Sequence, residues 1–179
     1  AETDLTDLEV LRPRRTRFEW VLPLFFRPGR TLKAVTAENN GVWITPLIVL
    51  SILAIVFVLA GAPLRTQAAQ VVGEPPPDFQ WWTPEQQEQY FASQANRASP
   101  VAIYVFPILG ALAGVWIPWF LLGSILHLAL TLSGSRGTNT AALNLAGWAS
   151  LPFALRYIVR AASLLIEGKL IQSPGLSGF

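Results

Sequence analysis

WITPLIVLSILAIVFVLAGA, residues 43–62, runs twenty positions without a charged side chain. As a helix it covers about 30 Å, the thickness of a bilayer's hydrocarbon core. Hydrocarbon offers no water to unpaired backbone groups, so a lone apolar segment crosses it only as a helix. Pro46 falls in the first turn, where a missing N–H costs little. Gly61 and Pro63 are expected to close the span.

Downstream, Val101 to Leu132 holds no charge at all. That run exceeds the roughly 20 residues a bilayer needs, so it must tilt, bend or extend beyond the membrane. Pro107 and Pro118 are the expected bend points. Residues 133–140, rich in Gly and Ser, read as a turn. A third span starts near Thr140 or Ala141, is interrupted at Pro152 and continues apolar to Ile166. The fold class is all-α: an integral membrane helical bundle with three transmembrane helices plus short interfacial helices. Its expected division is 1–42, a cytoplasmic tail and pre-span segment; 43–166, the membrane domain with an outer loop over 63–100; and 167–179, a C-terminal segment.

Upstream, Arg12, Arg14, Arg15 and Arg17 follow an acidic opening and read as a mobile tail. Ala1-Glu2-Thr3-Asp4 does not read as a signal peptide, which opens with positive charge and an apolar stretch. The opening at Ala1 suggests removal of an initiator methionine. Residues 20–35 carry aromatics suited to headgroup level, and Thr31 after Pro28-Gly29 is the expected start of a short interfacial helix to about residue 38. Such a helix is expected to turn Leu32 and Val35 to lipid, and Arg30 and Lys33 to phosphates. In the loop, Glu74-Pro75-Pro76-Pro77-Asp78 is stiff and extended. Thr83 with Gln86 forms a capping box, with Pro84 at the first helical position, and predicts a helix over 84–96.

Composition agrees with a membrane setting. Hydrophobic residues are 52% and charged residues 13%, against about 25% charged in a soluble domain, and mean hydropathy is +0.43. With no cysteine and one histidine, disulfides, thiolate metal sites and multi-histidine centres are excluded, and no metal is expected. A net charge of +2 gives no footprint for nucleic acid. Seven Lys and Arg precede the first span, while the 63–100 loop carries Arg65 and Arg97 against four acids. The positive-inside rule then places the N-terminus in the cytoplasm of a multi-pass protein of a bacterial inner membrane. Arg156, Arg160 and Lys169 run against that rule.

Two stretches carry a resemblance. One is Phe25-Phe26-Arg27-Pro28-Gly29-Arg30-Thr31, followed by Trp43-Ile-Thr-Pro46-Leu leading into the first span. The other is the glycine turn Leu132 to Thr138, followed by Asn144-Leu-Ala-Gly147-Trp148-Ala149-Ser150-Leu151-Pro152. Over residues 22–166 the chain resembles the Yip family of Ypt/Rab-interacting membrane proteins, in its bacterial-type members. The resemblance implies five spans, of which this chain covers the first three, a cytoplasmic N-terminus and a membrane scaffold that binds other proteins. It brings no catalytic motif.

Candidate chemistry is sparse. His127 sits in the second span among Leu126, Leu128, Ala129 and Leu130, with Gly123 and Ser124 a turn earlier. A neutral imidazole there is a ligand for haem iron or chlorophyll magnesium; bonding to water or a helix carbonyl near an interface is the plainer reading. Arg156 and Arg160, four apart, suit snorkelling, a lipid phosphate or a carboxylate on another subunit. Trp81 and Trp82 suit interface anchoring or partner docking. Gly110 and Gly114 form a Gly-x-x-x-Gly pair that lets a second helix approach. The spans contain no Asp or Glu, and Ser51, Ser124 and Ser150 have no histidine at a motif position, so no catalytic residue is assigned. The expected function is a non-enzymatic scaffold or accessory subunit of a larger complex, with the lipid bilayer and other membrane protein subunits as partners and no assigned cofactor. The rival is a cofactor-carrying or transport subunit; for transport, Asn144, Ser51, Ser124, Ser150 and His127 are the polar residues that stand out inside the spans.

Overall fold

The computed structural model describes residues 15–70, 75–135 and 137–168. Arg12, Arg14, Glu74, Arg136, Lys169 and the closing Ser173-Pro174-Gly175 lie outside them. The described residues are helical, with no strand among them. A 3-10 turn over Phe18–Trp20 leads into α1 (Val21–Phe26) and α2 (Pro28–Ala37). Then come α3 (Ile44–Gln70), a 3-10 turn over Phe79–Trp81, and α4 (Pro84–Arg97). A π-turn over Val101–Val105 opens onto α5 (Phe106–Leu132), followed by α6 (Asn139–Ala149) and α7 (Phe153–Glu167). Three stretches are long and apolar enough to cross a membrane: Ile44–Gln70, Val101–Leu132 and Asn139–Ile166.

Local chemistry sets most of these boundaries. The capping box is present in full: Thr83 Oγ1 accepts from Gln86 N, and Gln86 Oε1 accepts from Thr83 N. α5 ends in a Schellman motif, with Ser135 N donating to Leu130 O, Gly134 N to Thr131 O, and Gly134 at φ 81°. Thr138 then caps α6, its hydroxyl accepting from Ala141 N.

Several boundaries differ from expectation. α2 begins at Pro28, a turn ahead of Thr31, because proline suits the first helical position. Thr31 is instead buried, its hydroxyl donating to Arg27 O. Val35 is fully buried and Leu32 packs against the same core, so neither faces lipid as expected. α3 passes Gly61 and Pro63 and runs to Gln70. Helix continues through Pro118 as well, while the wide π-turn comes immediately before Pro107, whose ring would press on the carbonyl of Ile103 in a tight helix. The interruption expected at Pro152 is present: Asn139–Ile166 is two helices, broken over Ser150–Pro152 by short-range bonds such as Leu151 N to Trp148 O and Ala154 N to Leu151 O.

The chain packs as two units. The first comprises residues up to Ser51 with Gly114–Ala154; the second comprises Ile52–Ala113 with Leu155 onward. In the first, α2 lies along α6 and against α1. Leu24, Val35, Val42, Trp148 and Leu151 form its core, flanked by Trp20, Val21, Leu32 and Val49. In the second, α4 packs beside the π-turn, and Phe57 of α3 meets Tyr157 of α7 at 6.3 Å between ring centroids.

Candidate functional site at the start of the first span

A helix entering a membrane leaves its first N–H groups and the preceding turn without intrahelical partners. Here side chains of α6 supply them. Asn144 is fully buried. Its Oδ1 accepts from Trp43 N at 3.1 Å, and its Nδ2 donates to Asn40 O at 2.8 Å. One turn on, the fully buried Trp148 donates its indole N–H to Val42 O at 3.2 Å. The spacing of four residues puts both side chains on one face of α6. They clasp backbone residues 40–43, a hundred positions upstream.

The segment before α1 closes the other side. Arg17 N donates to the hydroxyl of buried Thr45 at 2.8 Å. The Arg17 guanidinium bonds Glu38 at 3.2 Å, lies 3.6 Å from Glu19 and stacks 5.2 Å from the Trp20 ring. Trp20 in turn tilts against Trp148 at 5.8 Å. Arg17, read from sequence as part of a tail, is thus an organising residue, and its Nε is buried without a hydrogen-bond partner among the described residues.

Tryptophans fill the span side of the clasp. Trp43 lies 4.6 Å from Trp119 and 6.4 Å from Trp116. Both indoles of α5 are bonded: Trp119 to Leu143 O and Trp116 to Ser51 Oγ, each at 3.1 Å. A side chain on Gly147 would meet Trp119, Trp43 and Pro46 at 3.3–3.4 Å, and one on Gly123 would strike Leu143. These are the glycines that close approach requires. Five of the seven tryptophans belong to this cluster. The indoles of Trp116, Trp119 and Trp148 are each bonded to Ser51 or to a backbone carbonyl, so these bonds tie neighbouring segments together.

The residues singled out from sequence are scattered. Nothing lies within 4 Å of where a side chain on Gly110 or Gly114 would start, so that face is uncovered within the protein. His127 is half-buried on α5, and its carbonyl accepts from Thr131. Among the described residues no three His, Cys, Asp or Glu side chains converge on a metal position. Trp81 is 80% exposed, whereas Trp82 is half-buried and bonds Asp78. Trp82 and Tyr90 with Gln86 and Gln89 line an open cleft of about 310 Å³. Arg156 is exposed, while the Arg160 guanidinium lies 5.3 Å from the centre of the Phe57 ring.

Sequence reasoning marked Asn144 as a polar residue inside a span and as the start of the stretch to Pro152 that carries the resemblance, but gave it no bonding role. The missed signal was its pairing with Trp148 one turn later, in a helix otherwise built of Ala and Gly on that face.

An all-helical, multi-pass membrane protein is the class these features define. The chain belongs to the family of the Yip1 domain, whose model matches residues 23–176. That match takes in the clasp and all three spans. Neither a characterised protein nor a solved structure matches the chain.

Proposed function

We propose that the protein is a non-enzymatic scaffold of the membrane, an accessory subunit that holds other membrane proteins through the second span. The observation that carries this is the bareness of that span. Along α5 only Val115, Trp119 and Gly123 are buried, while Phe106, Leu109, Ile117, Phe120 and Ile125 are each more than half exposed. Lipid covers such a face as readily as protein does, so apolarity alone selects no partner. The uncovered Gly110 and Gly114 add the selection, because they let a second helix backbone approach where a lipid chain gains nothing from the gap.

Family membership and the absence of Asp and Glu from the spans support this reading. The proposed setting is a bacterial cytoplasmic membrane with the N-terminus inside, on the strength of the seven basic residues ahead of the first span. The test is purification from native membranes in mild detergent, followed by native mass measurement. A stoichiometric complex that is lost in Gly110→Leu/Gly114→Leu is the expected result. A species containing this chain alone, in wild type, overturns the scaffold reading.

A further inference from the structure

The second unit carries an unabsorbed feature: arginines turned toward apolar surroundings. Phe57, Gly61 and Arg65 stand at i, i+4 and i+8 on one face of α3. That face meets α7, with Phe57 against Tyr157 and Arg160, and Gly61 near Leu164. Both helices advance together along this contact, so they run parallel. Arg65 folds back along its own helix. Its Nη1 donates to Val58 O at 2.8 Å, and its Nη2 lies 3.2 Å from where a side chain on Gly61 would begin. Gly61 is therefore the space that admits the Arg65 guanidinium. One turn away, Arg160 lies over Phe57, with Arg156 exposed one turn earlier on α7.

Both guanidiniums thus meet one turn of α3, Arg65 at Val58 O and Gly61, and Arg160 at the Phe57 ring. Among the described side chains, which do not include that of Glu167, the ion pairs are those of Arg17, and none involves Arg65, Arg156 or Arg160. Cations brought together at the edge of hydrocarbon repel one another and keep most of their donors unfilled unless an anion sits between them. Depth points to the kind of anion. Counting from Ile44, Phe57 lies about 20 Å along the helix and Arg65 about 32 Å, at 1.5 Å per residue. A hydrocarbon core is about 30 Å thick, so the turn Phe57–Gly61 lies within about 10 Å of the far face of that core and the Arg65 end of the groove reaches the headgroup level. Planar guanidiniums match phosphate oxygens with paired N–H donors.

We propose that Arg65 and Arg160, in the groove made by Gly61 between α3 and α7, bind the phosphate of an anionic phospholipid. The Phe57 ring and Leu164 flank that phosphate where an acyl chain leaves it. This site is independent of the partner face on α5.

The test uses full-length protein in neutral detergent and native mass spectrometry with added phosphatidylglycerol, phosphatidylcholine or inorganic phosphate. Phosphatidylglycerol should stay bound, phosphatidylcholine more weakly, and inorganic phosphate should neither bind nor compete. Each of Arg65→Gln and Arg160→Gln should weaken phosphatidylglycerol about fivefold, and the pair about 25-fold, on the scale of one basic side chain at a charged membrane surface. Gly61→Leu, which fills the space under Arg65 and leaves every charge in place, should weaken it as well. Helix content and elution volume matching wild type establish that each variant is folded; any variant that fails this is replaced by Arg→Lys at the same position, which should weaken binding less than Gln. Equal retention of the two lipids, unchanged binding in the folded double variant, or displacement by inorganic phosphate overturns the proposal. So does recovery of a protein carboxylate cross-linked at these arginines in place of lipid.

Discussion

Asn144 satisfies two backbone groups at once, and its loss orphans both: Trp43 N–H and Asn40 C=O. An unsatisfied buried group costs about 1–3 kcal/mol. Asn144→Leu is therefore expected to lower the unfolding midpoint in detergent markedly, and Asn144→Asp, which sets a carboxylate oxygen against the Asn40 carbonyl at a fully buried position, by at least as much at neutral pH. Thermal unfolding followed by tryptophan fluorescence checks both, since Trp43, Trp119 and Trp148 surround the site. The glycines give a sharper contrast. Gly147→Ala pushes a methyl against Trp119, Trp43 and Pro46, and overpacking of that kind costs about 1–3 kcal/mol. Gly110→Ala meets nothing and replaces a poor helix former with the best, a gain of about 0.8–1 kcal/mol. Opposite shifts in the same assay are the expected outcome. The sequence pointed to Gly110 and Gly114 and passed over Gly123 and Gly147, because Gly-x-x-x-Gly spacing marks a face without saying what covers it. Gly123 and Gly147 face neighbours twenty to a hundred residues away, and no local pattern records that.

At the level of elements, α4 is the clearest case of sequence setting structure. Its box, its first-turn proline and its length follow from Thr83, Pro84 and Gln86. Thr83→Ala should cost about 1 kcal/mol of local stability, read as faster amide exchange over α4 alone. Glu85, in the same first turn, has its carboxyl held below the ordinary value by its own backbone N–H and by the Thr83 hydroxyl. Because the folded state depresses that value, the stabilisation is complete above the unfolded carboxylate range and is lost as pH falls through the folded one. Amide protection of α4, corrected for intrinsic exchange, should decline on acidification in wild type and be flatter in Glu85→Gln. The prolines were harder to read. Pro63 and Pro118 stand within helices, while Pro152 accompanies a break. The difference lies in tertiary context: Leu151, beside Pro152, is fully buried in the core with Trp148, and that packing fixes the turn.

For the molecule as a whole, three membrane-crossing stretches were legible: two because twenty or more uncharged residues leave the backbone no alternative to helix, and the third because Arg156 and Arg160 fall toward one end of an otherwise apolar run. The clasp was not, since its bonds join side chains of α6 to a backbone turn that carries no sequence signature of its own. Orientation can be tested directly because the chain has no cysteine. Ser93 on α4 and Ala37 at the end of α2 are both exposed. With the N-terminus inside, Ser93→Cys should react with a membrane-impermeant maleimide in intact cells and Ala37→Cys only after lysis; the reverse pattern inverts the topology.

Since Asn144 and Trp148 close on residues 40–43 across 101 to 106 positions, the first span reaches the membrane well before its fastening exists. At about 5–20 residues per second of synthesis, α6 follows after roughly 5–20 s. Through that interval the turn at 40–43 has only water, lipid headgroups or an insertion factor to bond with. The nascent chain therefore passes through a defined half-built stage, ended when the third span arrives and locks the first in place.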